Sequence, residues 1–242
     1  MLTSRLLYLL PLGVVLIGWI VFGAIFLFQN RRSGVRTKKI DRASIGGICW
    51  QAVAFASVWS FGRARFSAIL PLGHWFEIVM AGIVIALIAG SLWITAAARR
   101  ALGKQWSLQA RVLQSHALIR RGPYRFVRHP IYTGMLGMLI ATGLAQSHWV
   151  GLTAGLFAFA LGTLIRVRSE ETLLREQFGN EYAHYAAEVP ALLPKALAAI
   201  TRWLTAGRAI VTRPPLGKLV RAEDRWPTRV RSPHCGADSL HQ

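Results

Sequence analysis

The sequence predicts an all-α fold: an integral membrane bundle of about five transmembrane helices, with juxtamembrane helices on the cytoplasmic side. Of the 242 residues, 53% are hydrophobic and 16% are charged, whereas a soluble domain carries about 25% charged residues. The stretch from Leu6 to Phe28 contains no charged residue, and a bilayer-spanning helix needs roughly 20 apolar residues. Both observations favour a membrane protein.

Five apolar segments are candidate spans: 6–28, 43–62, 75–98, 131–145 and 149–165. The second is the weakest by composition, because it holds three glycines, two tryptophans and a glutamine. The last two are 15 and 17 residues long and are separated only by "QSH". Each is short for an isolated straight span, so together they predict a tight helical hairpin over 131–165.

Basic residues are concentrated in alternate loops. Six Lys and Arg lie between Gln29 and Arg42, and eight lie between Arg99 and Pro130, where there is no acidic residue. The opposite loops hold only Arg5, Arg63 and Arg65. Because short loops rich in Lys and Arg stay in the cytoplasm, we expect the N-terminus outside and segments 99–130 and 166–242 inside. In a bacterium this would be the inner membrane.

The net charge of +19 fits the same topology. Most basic residues flank apolar segments, where they orient the helices and attract anionic membrane lipids, so no nucleic-acid partner is expected. The two cysteines, Cys49 and Cys235, are far apart in the chain and predict neither a disulfide framework nor a metal site. No oligomeric state is predicted.

Three regions follow from these patterns. Residues 1–98 are N-terminal transmembrane helices with three segments, and 99–194 form the region that contains the hairpin and the motifs on either side of it. Residues 195–242 form a basic cytoplasmic tail that is expected to be partly disordered, because proline, glycine and charge dominate its second half.

Acidic residues are gathered in one place. Five of the ten lie between Glu170 and Glu188, directly after the fifth apolar segment. Two of them form i,i+4 pairs at helical spacing, Arg166–Glu170 and Glu171–Arg175, on the solvated or cleft side of a helix. Ordinary ion pairs on a juxtamembrane helix would explain each residue singly. Adjacent carboxylates at a membrane exit, however, need cations or donors facing them.

The hairpin supplies those partners. Arg128 and His129 precede Pro130, which suits the first turn of a helix because no backbone N–H is needed there. Two antiparallel segments joined by a short turn bring this cationic corner next to Glu170 and Glu171. Ionisable groups at such a depth are expensive, which makes them candidates for a functional site.

The residues "SHALIRRGPYRFVRHPIYTG", followed about 30 residues later by "RVRSEETLLREQFGNEYAHYAAEVPALLP", resemble the isoprenylcysteine carboxyl methyltransferase family. That family belongs to a wider group that includes phospholipid N-methyltransferases. The resemblance covers 102–194, less than half of the chain. It implies a membrane enzyme that binds S-adenosylmethionine in a cytoplasm-facing pocket and methylates a lipophilic or membrane-presented acceptor.

The resemblance also implies site residues. The cofactor would be bound by His116, Tyr124, His129, Tyr132, Glu170 and Glu171. The candidate catalytic residues are Arg128 and Arg168, which match arginines that would hold an acceptor's carboxylate through a guanidinium fork. No metal is implied. In a bacterial source a prenylated protein would be an unexpected acceptor, and a lipid headgroup, an isoprenoid acid or a small thiol would be alternatives.

Two other interpretations remain open from the residues. Membrane sterol and enone reductases share a related "RHP-x-Y-x-G" pattern and bind a nicotinamide cofactor, although two adjacent carboxylates would oppose the 2′-phosphate of NADPH. A non-catalytic membrane scaffold with a polybasic surface is the third interpretation. It predicts that the motif residues tolerate alanine without loss of cofactor binding.

Overall fold

The computed structural model describes residues 2–28, 37–40, 43–62, 74–103, 111–113 and 118–194. The chain divides into two compact units, Met1–Thr201 and Arg202–Gln242, and every described residue belongs to the first. His116 and the predicted tail, 195–242, lie outside the described residues.

Helices make up nearly all of the regular structure. The α-helices of the described residues are α1 Leu2–Phe28, α2 Ala43–Ser60, α3 His74–Leu102, α4 Pro130–Gln146, α5 Trp149–Phe178 and α6 Asn180–Glu188. A 3₁₀ turn at Gly122–Arg125 precedes α4. Two short strands, β1 Thr37–Ile40 and β2 Arg111–Leu113, pair antiparallel. The predicted helical fold class is therefore confirmed, and the small ribbon is an element that the sequence pattern did not indicate.

Three of the helices are long and apolar enough to cross a membrane. They contain the segments Leu9–Leu27, Trp75–Leu102 and Trp149–Phe178. α2 has 18 residues and α4 has 17, and neither meets the same criterion among the described residues. The predicted count of about five spans is therefore not confirmed.

Large apolar side chains face outward along the long helices. Among the exposed ones are Ile20 on α1, Trp93 on α3 and Phe157 on α5. Apolar surface of this extent marks a region that meets lipid or a partner. Together with the three long apolar helices, it identifies a membrane protein.

α4 is the central helix of the bundle. One hydrophobic cluster joins Met138 of α4 to Val15 of α1 and Ile88 of α3. A second cluster joins Leu139 of α4 to α2 and α5, where Phe159 packs. Neighbouring residues of α4 thus contact different helix pairs. Because α4 is covered by other helices, its small and polar residues meet protein rather than lipid.

A two-residue connection closes the α4–α5 hairpin. Ser147 ends α4, and its amide N–H donates to the Gly143 carbonyl at 2.9 Å. The His148 amide N–H donates to the Phe61 carbonyl at 2.7 Å, which ties this turn to the end of α2. The chain therefore turns back on itself within two residues, as the short "QSH" connection predicts.

α2 and α5 approach closely along glycines. A Cβ added at Gly162 would lie 2.6 Å from the carbonyl oxygen of Gly47 and 2.9 Å from the amide nitrogen of Gln51. Both neighbours are backbone atoms, which cannot turn aside as a side chain can. Small residues at helix interfaces allow this approach within a membrane, and the close contact sets the spacing of the two helices.

Gly162→Ala is therefore expected to separate α2 from α5 and to destabilise the protein by about 1–3 kcal/mol, as overpacking does elsewhere. Thermal unfolding in detergent measures the effect. Gly90→Ala is the matched control, because a Cβ at Gly90 would meet no atom within 4 Å and alanine favours a helix interior by roughly 0.5–1 kcal/mol. Equal melting temperatures for Gly162→Ala and Gly90→Ala would contradict the close contact between α2 and α5.

α6 and the residues after it fold back against the start of α4. α5 ends at Phe178, and the next residue, Gly179, has a φ of +51°, which suits glycine at a helix terminus. Tyr182 and Tyr185 of α6 then pack with Val189, and Leu174 and Phe178 lie against this cluster. Leu174 and Phe178 of α5 and Tyr182 and Tyr185 of α6 therefore share one apolar cluster on the two sides of this turn.

Candidate functional site

Polar side chains lie close together at the start of α4 and on the part of α5 that follows its apolar residues. Pro130 is the first residue of α4, so the two preceding residues, Arg128 and His129, lie at the open end of the hairpin. Glu170 and Glu171 lie on α5 at the same end. The hydrogen bonds described below show that the predicted juxtaposition exists. We call Arg128, His129, Tyr132, Arg166, Glu170 and Glu171 the hairpin cluster.

Arg128 is held on all three of its guanidinium nitrogens. Nε and Nη2 donate to Glu171 Oε1 at 3.0 and 2.8 Å, and Nη1 donates to the carbonyls of Ala186 and Val189 at 2.6 and 2.5 Å. A lysine has a single ammonium and cannot make this set of contacts. Arg128 therefore joins the start of α4 to α5 and to the end of α6.

The backbone continues this connection. The amide N–H groups of Arg128 and His129 donate to the carbonyls of Pro190 and Ala191 at 2.8 and 2.9 Å. The hydroxyl of Thr133 donates to the Leu192 carbonyl at 2.7 Å. Residues 189–192 thus form a strap along the entrance of α4, fixed by backbone and side-chain donors.

His129 lies between the two carboxylates. Its Nδ1 is 3.4 Å from Glu170 Oε2 and its Nε2 is 3.3 Å from Glu171 Oε1, and its side chain is 5% exposed. Both ring nitrogens are donors only in the imidazolium. Burial alone would lower the pKa of His129, but the hydrogen bonds and charges of Glu170 and Glu171 outweigh burial and raise that pKa above 6.5.

The raised pKa of His129 predicts a pH dependence of stability. A folded-state pKa above the unfolded value means that the stabilisation is complete below about pH 6.5 and is lost as pH rises through the folded pKa. Thermal unfolding between about pH 6 and pH 9 is expected to show this loss in the wild type and a smaller one in His129→Gln. If the melting temperatures of the wild type and of His129→Gln change with pH in parallel, His129 is not charged in the folded protein.

Tyr132 and Arg166 complete the cluster around Glu170. The Tyr132 hydroxyl donates to Glu170 Oε1, and its ring stacks on His129 with centroids 5.7 Å apart. The Arg166 guanidinium lies 5.1 Å from the centre of the Tyr132 ring, and its Nη2 is 3.9 Å from Glu170 Oε1. The predicted i,i+4 pair is present, but Arg166 is buried in the bundle rather than solvated.

Tyr124 lies beside the cluster. Its side chain is buried, and its backbone carbonyl accepts a hydrogen bond from the Tyr185 hydroxyl at 2.6 Å. Burial first, and then the charge of Glu170, raise the pKa of Tyr124 far above its usual value. The phenol is therefore neutral, and Glu170 is close enough to act on it.

Arg168 is placed differently. It is exposed on α5, and because two residues turn a helix by roughly 200°, it lies on another face than Glu170. The structure does not bring Arg168 into the hairpin cluster. His116, the remaining predicted residue, is outside the described residues.

Two further features were not predicted. The hydroxyl of Ser169 is buried and has no hydrogen-bond partner among the described residues. Gln51 of α2 bonds to Arg166. In the sequence, Gln51 stands out as a polar residue within an apolar segment. Within the part of the chain that the structure describes, no group of three or more His, Cys, Asp or Glu side chains is arranged to hold a metal ion.

The fold and the hairpin cluster define the class: a helical membrane protein with a buried, ion-paired site at the mouth of a hairpin. Residues 79–181 match the family model described as phospholipid methyltransferase. This segment contains every residue of the hairpin cluster.

Curated relatives agree with this family. The chain is 37% identical over 81 residues to the probable protein-S-isoprenylcysteine O-methyltransferase of Oryza sativa subsp. japonica, covering 33% of this chain and 41% of that protein. It is 31% identical over 83 residues to the protein-S-isoprenylcysteine O-methyltransferase of Schizosaccharomyces pombe, covering 34% of each. The resemblance to isoprenylcysteine carboxyl methyltransferases is thereby confirmed.

A relative with a different name shares a longer region. The nickel-cobalt-cadmium resistance protein NccN of Alcaligenes xylosoxydans xylosoxydans is 32% identical over 140 residues, covering 51% of this chain and 64% of that protein. The chain thus spans less than two thirds of the length of each of these curated relatives.

Proposed function

We propose that this protein is a membrane methyltransferase that uses S-adenosylmethionine to methylate a lipophilic or membrane-presented acceptor. One observation carries the proposal: a partly exposed carboxylate, Glu170, is fixed by His129 and Tyr132 at the mouth of a hairpin, within a segment of the phospholipid methyltransferase family. Glu170 is 27% exposed and His129 only 5%, so Glu170 is the group that a ligand can reach.

The donor set fits S-adenosylmethionine. That cofactor carries an ammonium group and ribose hydroxyls, and both donate to a carboxylate such as Glu170. Its own carboxylate and ring nitrogens need donors, and the buried hydroxyl of Ser169, which precedes Glu170 on α5, has no partner among the described residues. An acceptor and an unused donor on neighbouring residues suit a zwitterionic ligand. Tyr124, with its neutral phenol, and His116 are the further candidates for cofactor contact.

The residues of the hairpin cluster have different proposed roles. Glu171 accepts hydrogen bonds from Arg128 and Arg175. We therefore assign its charge to holding the site together rather than to binding the ligand. His129 holds both carboxylates, and Tyr132 orients Glu170. When bound, S-adenosylmethionine supplies a methyl group on a sulfonium for in-line displacement. The protein supplies orientation, which in favourable cases contributes about 7–11 kcal/mol.

Arg128 and Arg168 are proposed to play different parts. Every guanidinium nitrogen of Arg128 already donates within the protein, so we assign it to the frame of the site. Arg168 is exposed and is the better candidate to attract the carboxylate or phosphate of an anionic acceptor through its bidentate fork.

The proposed topology is multi-pass with the hairpin cluster on the cytoplasmic side. It is supported by the eight Lys and Arg between Arg99 and Pro130, since such loops stay cytoplasmic. The division into 1–98, 99–194 and 195–242 is part of the same proposal. A lipid headgroup, an isoprenoid acid or a small thiol is the proposed acceptor class. The NADPH-dependent reductase alternative is not favoured.

Methyl transfer from labelled cofactor tests the proposal. Membranes containing the wild-type protein are incubated with S-adenosylmethionine labelled on its methyl group, alone or with an added isoprenoid acid or thiol. We expect label in the lipid extract or in the added acceptor, and none above background with Glu170→Gln. Wild-type membranes that label no lipid, protein or added acceptor would contradict the proposal.

A further inference from the structure

Two serines, one on α2 and one on α5, have buried hydroxyl groups. Ser44 lies in the first turn of α2 and is fully buried, and Ser169 of α5 is 5% exposed. Neither hydroxyl has a hydrogen-bond partner among the described residues. Because a buried hydroxyl without a partner costs free energy, such groups in proteins are satisfied by a ligand or by water where no protein group serves.

The register of α2 against α5 places the two serines on facing surfaces. A Cβ added at Gly162 would lie 2.9 Å from the amide nitrogen of Gln51, so these two residues face each other. Ser169 follows Gly162 by seven residues, and Ser44 precedes Gln51 by seven residues. Seven residues make nearly two full turns, about 10.5 Å along a helix. Each serine therefore stays on the same helix face as the residue from which it is counted.

α2 and α5 run in opposite directions along this contact. A Cβ added at Gly155 would lie 3.0 Å from the Ala54 carbonyl oxygen. From the Gln51–Gly162 contact to this one, residue numbers rise along α2 and fall along α5. Two turns the other way lead along both helices toward the level of Glu170. The two unpartnered hydroxyls thus lie at the same end of the α2–α5 contact, beside the hairpin cluster.

The start of α2 favours an anion at this level. The first turn of an α-helix has backbone N–H groups without a partner inside the helix, and the helix dipole favours negative charge beside them. Ser44 belongs to this turn, so its hydroxyl lies next to these donors. Ser169 directly precedes Glu170, whose carboxylate is partly exposed. Donors for an anion therefore adjoin a carboxylate that can accept from a cation.

We propose that Ser44, Ser169 and the first turn of α2 form a subsite for a carboxylate, that of the amino-acid part of S-adenosylmethionine. The identity of the ligand rests on the proposed function. The ammonium group and the carboxylate of an amino acid are attached to the same carbon, so a ligand whose ammonium reaches Glu170 presents its carboxylate to donors nearby. α2 lies outside the segment 79–181 that matches the family model. An N-terminal helix of this chain would then take part in cofactor binding.

Ser169→Ala and Ser44→Ala are the central variants. Each removes one hydroxyl that would donate to the bound carboxylate. We expect the Kd for S-adenosylhomocysteine, measured by calorimetric titration in detergent, to rise on the order of tenfold, as for a lost hydrogen bond to a charged group. Without ligand, the melting temperature should not fall, because the lost hydroxyl is buried and has no partner among the described residues.

Ser57→Ala is the matched control. It makes the same substitution on α2, where the Ser57 hydroxyl donates to the Val53 carbonyl of the same helix at 2.8 Å. A Cβ added at Gly151 would lie 3.0 Å from the Ser57 carbonyl oxygen, so Ser57 lies at the opposite end of the α2–α5 contact from Ser44. We expect Ser57→Ala to bind S-adenosylhomocysteine with the Kd of the wild type.

Two further ligands identify the group that the serines bind. Decarboxylated S-adenosylhomocysteine lacks only the carboxylate, so its Kd should be the same in the wild type, Ser169→Ala and Ser44→Ala. An isoprenoid acid added alone presents a carboxylate without the cofactor. Its effect on the melting temperature should be the same in all three proteins if the subsite serves the cofactor rather than the acceptor.

The outcomes are distinguishable. A wild type that does not bind S-adenosylhomocysteine would overturn the proposed function and the subsite together. Where the wild type binds, an unchanged Kd in either serine variant, or an equal loss of affinity for the decarboxylated ligand, would overturn the subsite alone. A lower melting temperature of the ligand-free serine variants would show that the hydroxyls hold the fold and would also overturn it. A response to the isoprenoid acid that is lost in the serine variants would assign the carboxylate to the acceptor and overturn the cofactor subsite.

Discussion

Replacing Glu170 with glutamine is expected to weaken the binding of S-adenosylmethionine by roughly 30-fold or more. The carboxylate accepts from Tyr132 and faces His129 Nδ1 at 3.4 Å, and it is the more accessible of the two carboxylates of the cluster. Removing one member of a buried, hydrogen-bonded charge pair costs about 2–5 kcal/mol. Calorimetric titration of the detergent-solubilised protein measures the loss.

Glu188→Gln is the matched control for this experiment. Glu188 is exposed at the end of α6, and its replacement makes the same change of charge away from the hairpin cluster. We expect Glu188→Gln to bind S-adenosylmethionine with the same affinity as the wild type. Wild-type affinity in Glu170→Gln would remove Glu170 from the cofactor site, and an equal loss in Glu188→Gln would show an effect of net charge only.

Arg128→Met is expected to produce the largest loss of stability, about 3–5 kcal/mol. Glu171 is 13% exposed, and without Arg128 it would lose its main cation. The carbonyls of Ala186 and Val189 would lose their donor at the same time. For a chain of this size, each kcal/mol corresponds to roughly 2–4 °C in Tm, so thermal unfolding resolves the change easily.

Arg125→Met is the control for Arg128→Met. Arg125 is exposed, and its guanidinium lies over the neighbouring Phe126 ring, so its removal should change Tm little. Arg128→Lys is expected to recover only a small part of the loss, because one ammonium cannot replace three guanidinium donors. A Tm for Arg128→Met equal to that of Arg125→Met would contradict the structural role of Arg128.

The core of the site was predictable because it is local in the hairpin. Two apolar segments of similar length, joined by three polar residues, must return the chain to the level where it entered. Residues just before the first segment, such as His129, and just after the second, such as Glu170, therefore meet. Pro130 indicated where the first helix begins, since proline suits a first turn.

Other parts depend on long-range contacts that no sequence pattern reports. The Arg128 guanidinium donates to carbonyls about 60 residues away, and a backbone acceptor leaves no trace in the residue type. Likewise Arg166 forms an i,i+4 pair that is typical of a solvated helix, yet α2 covers it. The glutamine in α2 was visible, but only the three-dimensional contact shows that it bonds to Arg166.

The number of spans was also out of reach for a physical reason. α4 is enclosed by α1, α3, α2 and α5, so its apolar character reflects burial in protein as much as exposure to lipid. Hydropathy does not separate these two environments. Among the described residues, three helices with long, outward apolar faces meet the length and composition of a span.

Ligand-dependent thermal unfolding of the purified wild-type protein tests the cofactor assignment most directly. S-adenosylhomocysteine at about 100 times its Kd should stabilise the folded state by roughly 2.7 kcal/mol, and NADPH at the same concentration should leave Tm unchanged. Stabilisation by NADPH with no response to S-adenosylhomocysteine would contradict the methyltransferase proposal and would indicate a nicotinamide cofactor at the hairpin cluster instead.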